Sequence, residues 1–336
     1  MSTVFDYIDL NEFHRSKSIC IANGIVEAIE DKAIHQGEAL PSVNKFILKL
    51  GVARMTVVKA LNILKEQGII ISVDKIGYFV KDENIRQNLK VLLLLTGFHS
   101  YQEVVYNQII EGVKGCNVTI DLFFHHCNAK IFNSIIRENL GLYGLYIITG
   151  FKDPSVESCL SRIPKRKLLQ ILRPPLLPDV SSISQDFYIE LKKSLDLLAP
   201  KLEQYEEFIL VFPSERRHPK GIRQAFVEFC EGHEITYDVV EKIDKRLITP
   251  GRVFGVIEDS DLLSTIQFSE EKGYQIGHEI GLISYNETPM KKMIRNGITV
   301  LSADFFSLGK AISQFICKPE PTVKVFPPQL FIRSSI

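Results

Sequence analysis

Three groups of residues in this sequence could do chemistry. The first is basic. Between positions 40 and 82, Lys45, Lys49, Arg54, Lys59, Lys65, Lys75 and Lys81 face only Glu66, Asp74 and Asp82, a net of +4, while the whole chain has 40 Lys and Arg against 40 Asp and Glu. A local basic face neutralises phosphates and releases their counterions, which is the sequence-independent part of affinity for nucleic acid. Arg54, Met55 and Thr56 stand together at the start of a helical pattern. Arginine pairs with guanine through two hydrogen bonds, and threonine meets a thymine methyl. Lys75 and Tyr78 lie at a turn further on, in reach of phosphate or the minor groove. Charge alone is equally compatible with a solvated helix surface, so the elements around it must decide.

The second group follows apolar runs: Phe98, His99, Tyr101 and Gln102 after Val91–Leu95, Arg173 after Leu168–Leu172, and Gln185 and Asp186 after Ser184. Further on come Arg216, Arg217 and His218 after Phe208–Phe212, Glu258, Asp259 and Asp261 after Val253–Ile257, Asn286 and Glu287 after Ile280–Tyr285, and Asp304. Planar polar groups of this kind hydrogen-bond hydroxyls, and aromatic faces cover apolar C–H surface, the lining expected of a small-molecule pocket. The third group is His125-His126-Cys127. A metal site needs three or four ligands with supporting hydrogen bonds, and no partner motif stands nearby, so no metal is expected. Asp259 and Asp261 could serve acid–base chemistry. Without a Gly-rich phosphate loop, a GxSxG elbow or an HExxH pair, binding of hydroxyls is the better reading, with no catalytic residues and no cofactor.

These residues need elements to hold them. Residues 18–35 place Ile19, Ala22, Ile25, Val26 and Ile29 at helical spacing, with Gly37 as the stop. Ser42 is placed to cap a second helix with the stripe Val43, Phe46, Ile47 and Leu50. Gly51 supplies a turn. A third helix over 54–67 buries Val57, Leu61 and Leu64 and ends at Gly68. Two strands, 69–72 and 78–80, flank the turn 74–77. Three helices and a hairpin are the order of a winged helix. That order turns the basic face into a DNA-docking face, with the helix from Arg54 in the major groove.

The charged stretch 81–90 reads as a connection, with 83–89 the linker proper. Beyond it, continuous apolar strands alternate with amphipathic helices, which argues for parallel sheets covered on both faces. About 250 residues of this pattern suit two sheets rather than one. The six cysteines are scattered with no CxxC pair, which fits free thiols in a reducing cytoplasm. No signal-like stretch follows Met1, and no apolar run reaches the roughly 20 residues needed to span a bilayer. A cytoplasmic protein without membrane association is expected.

The segment GEALPSVNKFILKLGVARMTVVKALNILKEQGIIISVDKIGYFV resembles the GntR family winged helix. The LPS motif, the LGV-x-R-x-T turn, the A-L-x-x-L-x-x-x-G run and the Gly-x-Phe-Val wing all occur between Leu40 and Val80. The resemblance implies DNA contacts from Ser42, Lys45, Arg54, Met55, Thr56, Lys59, Lys75 and Tyr78. Asn44 and Val58 stand where the family often has arginine, so Val58 carries no contact and Lys59 compensates. From Lys90 onward, VLLLLTGFHSYQEVVYNQIIEGV, LYGLYIITG, SSISQD, VFGVIEDSDL and IGLISYNETP are similar in order to the LacI-type effector domain and to periplasmic sugar-binding proteins.

Together the resemblances imply an α/β protein: an N-terminal winged helix-turn-helix plus a two-lobed, periplasmic-binding-protein-like (type I) domain with parallel sheets. The expected division is 1–82 for DNA binding, 83–89 for the linker and 90–336 for the effector domain. Lobe one takes about 90–184 and 302–318, and lobe two about 185–301 and 319–336, with hinges near Ser184–Asp186 and Thr299–Ser302. Ligand contacts are expected from Phe98, His99, Tyr101, Gln102, Arg173, Asp186, Arg217, His218, Asp261 and Asn286, with Phe98, Asp186, Arg217 and Asp261 matching the family's positions best. The implied function is that of a sugar-responsive transcription regulator, such as a repressor, acting as a homodimer on double-stranded operator DNA. L-fucose and L-arabinose are the first sugars to try, by analogy alone. A sugar-binding receptor without a DNA role and a sugar-metabolising enzyme are the competing classes.

Overall fold

The computed structural model describes residues 3–10, 16–81, 89–97, 99–213 and 218–336. Phe98, Arg217 and linker positions 83–88, singled out above, lie outside the described residues.

The N-terminal unit is built from α1 (Lys17–Glu30), α2 (Val43–Leu50), α3 (Arg54–Glu66) and the antiparallel hairpin β1 (Ile70–Val73) and β2 (Gly77–Val80), with Ile70 opposite Val80. Ser42 caps α2, its Oγ accepting from the Lys45 amide at 3.3 Å. Gly51 ends α2 in the left-handed region at φ 62°, a conformation that costs glycine nothing. Ile21, Ile25, Phe46, Val57, Leu61 and Leu64 form one buried core. The first helix is shorter than its periodicity predicts. Lys32, at φ 57°, turns the chain out of the helix, and the amides of Ala33 and Ile34 fold back onto the Ala28 carbonyl well before Gly37.

The rest of the chain forms two six-stranded sheets. The first takes β3 (Leu89–Leu95), α4 (Ser100–Gly112), β4 (Val118–Phe124), α5 (Ala129–Asn139), β5 (Leu145–Ile148), α6 (Pro154–Leu160), β6 (Leu168–Leu172) and β7 (Ser181–Gln185). The chain then crosses to the second through α7 (Ile189–Asp196) and α8 (Ala199–Leu202). There follow β8 (Glu207–Val211), α9 (Lys220–Gly232), β9 (Tyr237–Val240), β10 (Arg252–Val256), α10 (Asp259–Glu271), β11 (Ile280–Tyr285), α11 (Pro289–Met293) and β12 (Thr299–Ala303). It returns through α12 (Phe305–Cys317), which packs on α4, to β13 (Val323–Phe326) in the first sheet, and crosses a third time to β14 (Pro328–Phe331) in the second. The strand orders are β13-β7-β6-β5-β3-β4 and β14-β12-β11-β10-β8-β9, and all pairs are parallel except β12 with β14. The central strands are buried along most of their length and mainly apolar, because helices cover both faces.

Two boundaries differ from the expectation. The expected division places Val323–Phe326, within 319–336, in lobe two, but it pairs in parallel with Ser182–Gln185 in the first sheet. It places Ser302 and Ala303 in lobe one, but they pair with Gln329 and Pro328 in the second sheet. The crossovers therefore fall at residue 186, at Asp304 and at Pro327, the last of which splits the expected 319–336 segment between the sheets.

Candidate functional site

The winged helix presents its basic face outward. Arg54 and Met55 are exposed on the first turn of α3, Lys59 is exposed one turn on, and Thr56 is half-buried. No acidic side chain occupies that first turn, so the positive end of the helix dipole is left open to a phosphate. Arg54 Nη1 lies 3.5 Å from Asn44 Oδ1, which links the two helices at the face. Lys45 is exposed on α2, Lys75 sits at the hairpin tip at φ 60°, and Tyr78 is half-buried on β2. Ser42 is exposed, and its hydroxyl is engaged in the cap. Ile76, 72% exposed at the same tip, was not singled out from sequence.

A cavity of about 510 Å³ lies where the carboxyl ends of the two sheets meet, as expected for parallel sheets. Of the ten expected ligand residues, His99, Tyr101, Arg173, His218 and Asn286 line it. Gln102, Asp186 and Asp261 do not. Gln102 is buried beneath the loop, its Nε2 donating to Thr96 Oγ1 at 2.6 Å and its Oε1 accepting from the Gly97 amide at 3.3 Å. Asp186 caps α7, accepting from the amides of Tyr188 at 2.8 Å and Glu190 at 3.0 Å. Asp261 turns inward behind α10 toward the Ile243 amide, and burial raises its carboxyl above the usual range.

From lobe one, His99 stacks on Tyr101 with ring centroids 5.6 Å apart, and Tyr101 stacks on Phe305 at 4.7 Å. Burial lowers the His99 imidazole, which favours its neutral form. From lobe two, His218 Nε2 lies 3.0 Å from Glu258 Oε1. Lys291, which no sequence signal marked, is 2% exposed. Its ammonium donates to the carbonyls of Tyr285 and Asn286, both at 2.8 Å, and lies 2.9 Å from Asp259 Oδ1. Burial lowers its pKa, and Asp259 acts in the opposite sense. Three buried polar atoms of the lining, Thr149 Oγ1, Gln185 Oε1 and Tyr285 Oη, have no hydrogen-bond partner among the described residues. The cleft also gathers backbone strain: His126, Cys127, Leu172 and Asn286 all have φ between 48° and 68°.

His125 has a different task from its neighbours. It is fully buried, stacked on Phe151 with centroids 5.1 Å apart, with Nε2 2.9 Å from the Thr149 carbonyl and Nδ1 accepting from the Cys127 amide. Both ring nitrogens are thus engaged, while His126 and Cys127 turn into the cleft. Among the described residues, no three His, Cys, Asp or Glu side chains converge on a metal position. No described helix is long and apolar enough to cross a membrane.

Residues 20–80 match the family model of bacterial regulatory proteins, gntR family. No curated protein sequence matches the chain. The two-sheet part superposes on solved structures of low identity. One is a periplasmic binding protein/LacI transcriptional regulator from Alkaliphilus metalliredigens QYMF complexed with D-xylulofuranose, at 12% identity and TM-score 0.62, covering 73% of this chain and 98% of that one. Another is the trehalose repressor from Escherichia coli, at 14% identity and TM-score 0.61, covering 73% and 100%. A LacI family transcriptional regulator from Lactobacillus casei with bound glucose matches at 13% identity and TM-score 0.61, covering 74% and 99%. The chain thus joins a gntR-family domain of bacterial regulatory proteins, over residues 20–80, to a two-lobed unit with the fold of LacI-type regulators and periplasmic binding proteins.

Proposed function

We infer that the protein is a transcriptional regulator that binds operator DNA through its winged helix and is controlled by a neutral monosaccharide held between its lobes. The observation that carries the effector half is a set of buried atoms without a partner among the described residues, Thr149 Oγ1 and Gln185 Oε1 on lobe one and Tyr285 Oη on lobe two. A buried polar atom without a partner costs about 1–3 kcal/mol, and a ligand hydroxyl recovers it. A polyhydroxylated ligand satisfies atoms on both lobes at once, so it favours one lobe arrangement, which is the condition for shifting a two-state equilibrium. Glu258 shares a hydrogen bond with His218 and Asp259 an ion pair with Lys291, so both lining carboxylates already have partners, which suits an uncharged ligand. The aromatic stack of Tyr101 on Phe305 offers the surface for a sugar's C–H face. The D-xylulofuranose and glucose held by the similar folds support the same class.

On the DNA side, the support is the exposed Arg54, Met55 and Lys59 on α3 and the gntR-family match. One winged helix covers too little DNA for strong specificity, so the active species is a homodimer on a two-fold site. Light scattering of the free and duplex-bound protein reads this directly, and a monomer in both would remove it. The effector is sought by thermal shift over neutral monosaccharides, L-fucose and L-arabinose first. A gel shift with duplexes selected from a random pool then tests control. A sugar that raises the melting temperature and changes duplex affinity supports the reading. Sugar binding in a chain that selects no duplex would make it a receptor without a DNA role.

A further inference from the structure

The face of α1 turned away from the winged-helix core carries its own pattern. Ile19, Asn23, Glu27 and Glu30 recur at intervals of four, four and three residues, so they share one side of the helix. That side meets lobe one. At the acidic end, the Arg166 guanidinium takes both carboxylates, with Nη1 3.1 Å from Glu30 Oε2 and Nη2 on Glu27. At the other end, Ile19 packs against Gly141 so closely that a Cβ built there would stand 3.6 Å from Ile19 Cβ and 3.5 Å from Asn23 Nδ2. Gly141, at φ +84°, lies between α5 and β5, and Arg166 lies just before β6. Both therefore sit at the amino ends of lobe-one strands, opposite the cleft.

We propose that α1 is a docking surface that fixes the winged helix on lobe one as a single body, with the DNA face left open. Covalent connection through 82–88 is then not the only coupling between the lobes and the DNA-binding unit. Whatever moves lobe one carries α1 with it, and α3 moves through the shared core of α1 and α3. The docked arrangement is competent for DNA, because Arg54, Met55 and Lys59 remain exposed on α3 while α1 is engaged. Two exposed carboxylates on one guanidinium hold weakly, and salt screens them, so the contact is reversible by design of its chemistry.

The geometry supplies its own test. A Cβ–Cβ separation of 3.6 Å at 19 and 141 lies within the range a disulfide spans. The full-length Ile19→Cys/Gly141→Cys variant, treated with oxidised glutathione, should form an intramolecular disulfide in most molecules. The product runs as a monomer on a non-reducing gel, and a Cys116→Ser background removes the native thiol pair Cys116 and Cys317, whose sulfurs lie 2.8 Å apart, so that a loss of two hydrogens reports the 19–141 bond. Adding Arg166→Glu should lower the yield several-fold, and Glu27→Arg with Glu30→Arg should restore it. A yield no higher than in the single-cysteine variants, or one indifferent to Arg166→Glu, would overturn the docking. Should strain at position 141 prevent folding, hydrogen exchange decides instead. Arg166→Glu alone, at an exposed site, should speed exchange of amides 140–144, and unchanged exchange would contradict the proposal. The cross-linked chain should bind a mixed-sequence duplex at low salt within twofold of the reduced chain. A tenfold loss would overturn the claim that the docked state leaves the DNA face open.

Discussion

Lys291 Nζ, almost wholly buried, lies 2.9 Å from the Asp259 carboxylate at the mouth of the cleft while holding the carbonyls of Tyr285 and Asn286. One ammonium thus fixes the end of β11 against the start of α10, two of the lobe-two elements that line the cleft.

Lys291→Met should therefore act on stability and on the ligand together. It leaves two carbonyls without their donor and Asp259 without its cation. A loss of about 2 kcal/mol in urea unfolding is expected, with weaker monosaccharide binding. A variant as stable as the parent would show that Lys291 does not organise the cleft.

Tyr285→Phe should separate those two effects. The phenol oxygen is buried without a partner among the described residues, so its removal should cost the free protein little. Monosaccharide affinity should fall by about 1–3 kcal/mol, read by calorimetry, with the melting temperature of the free chain held. Unchanged affinity would take Tyr285 out of the ligand's contacts.

The pH dependence of stability should carry the mark of His125. Burial holds its imidazole down at about 4, from the ordinary 6.5 of a free histidine. The unfolded chain takes up a proton as pH falls through 6.5, while the folded chain resists until about 4, so stability is full above 6.5 and declines below it. Between pH 6.5 and 5 the loss from this group is about 2 kcal/mol. Urea unfolding at the two pH values measures it, and His125→Asn should flatten that part of the profile. An equally steep profile in the variant would assign the effect to other groups.

On the DNA face, Arg54→Ala should erase preference for a selected duplex, at a cost of roughly 1–3 kcal/mol, because base contacts specify. Lys49→Ala should weaken all duplexes alike, because phosphate contacts only position. Anisotropy titrations with selected and scrambled duplexes separate the two. An Arg54→Ala protein that kept its preference would remove Arg54 from the readout.

The winged helix was legible because its stop signals are chemical. Ser42 and Gly51 do in the structure what their types prescribe. The cleft was legible as a place and less so as a set of side chains. Asp259 and Asp261 follow the same strand, but two residues along a helix turn the side chain by about 200°, so only Asp259 reaches the cavity and Asp261 goes to the Ile243 amide. Lys291 sits in Pro289-Met290-Lys291-Lys292, which reads as solvated surface, and only the tertiary fold buries it. The exchange of β13 and β14 between sheets escaped because Pro327 alone separates two short strands, and nothing in their composition says which sheet each joins.

The central claim is that one chain couples a sugar cleft to a DNA face. Its most direct test is an anisotropy titration of a selected duplex with and without the monosaccharide that raises the melting temperature, in the parent and in Tyr285→Phe. The sugar should change duplex affinity by about fivefold or more in the parent, the usual lower range of coupling between sites. Tyr285→Phe should bind the duplex normally without sugar and need about tenfold more sugar for the same response. A sugar that binds tightly yet leaves duplex affinity unchanged in the parent would contradict the account.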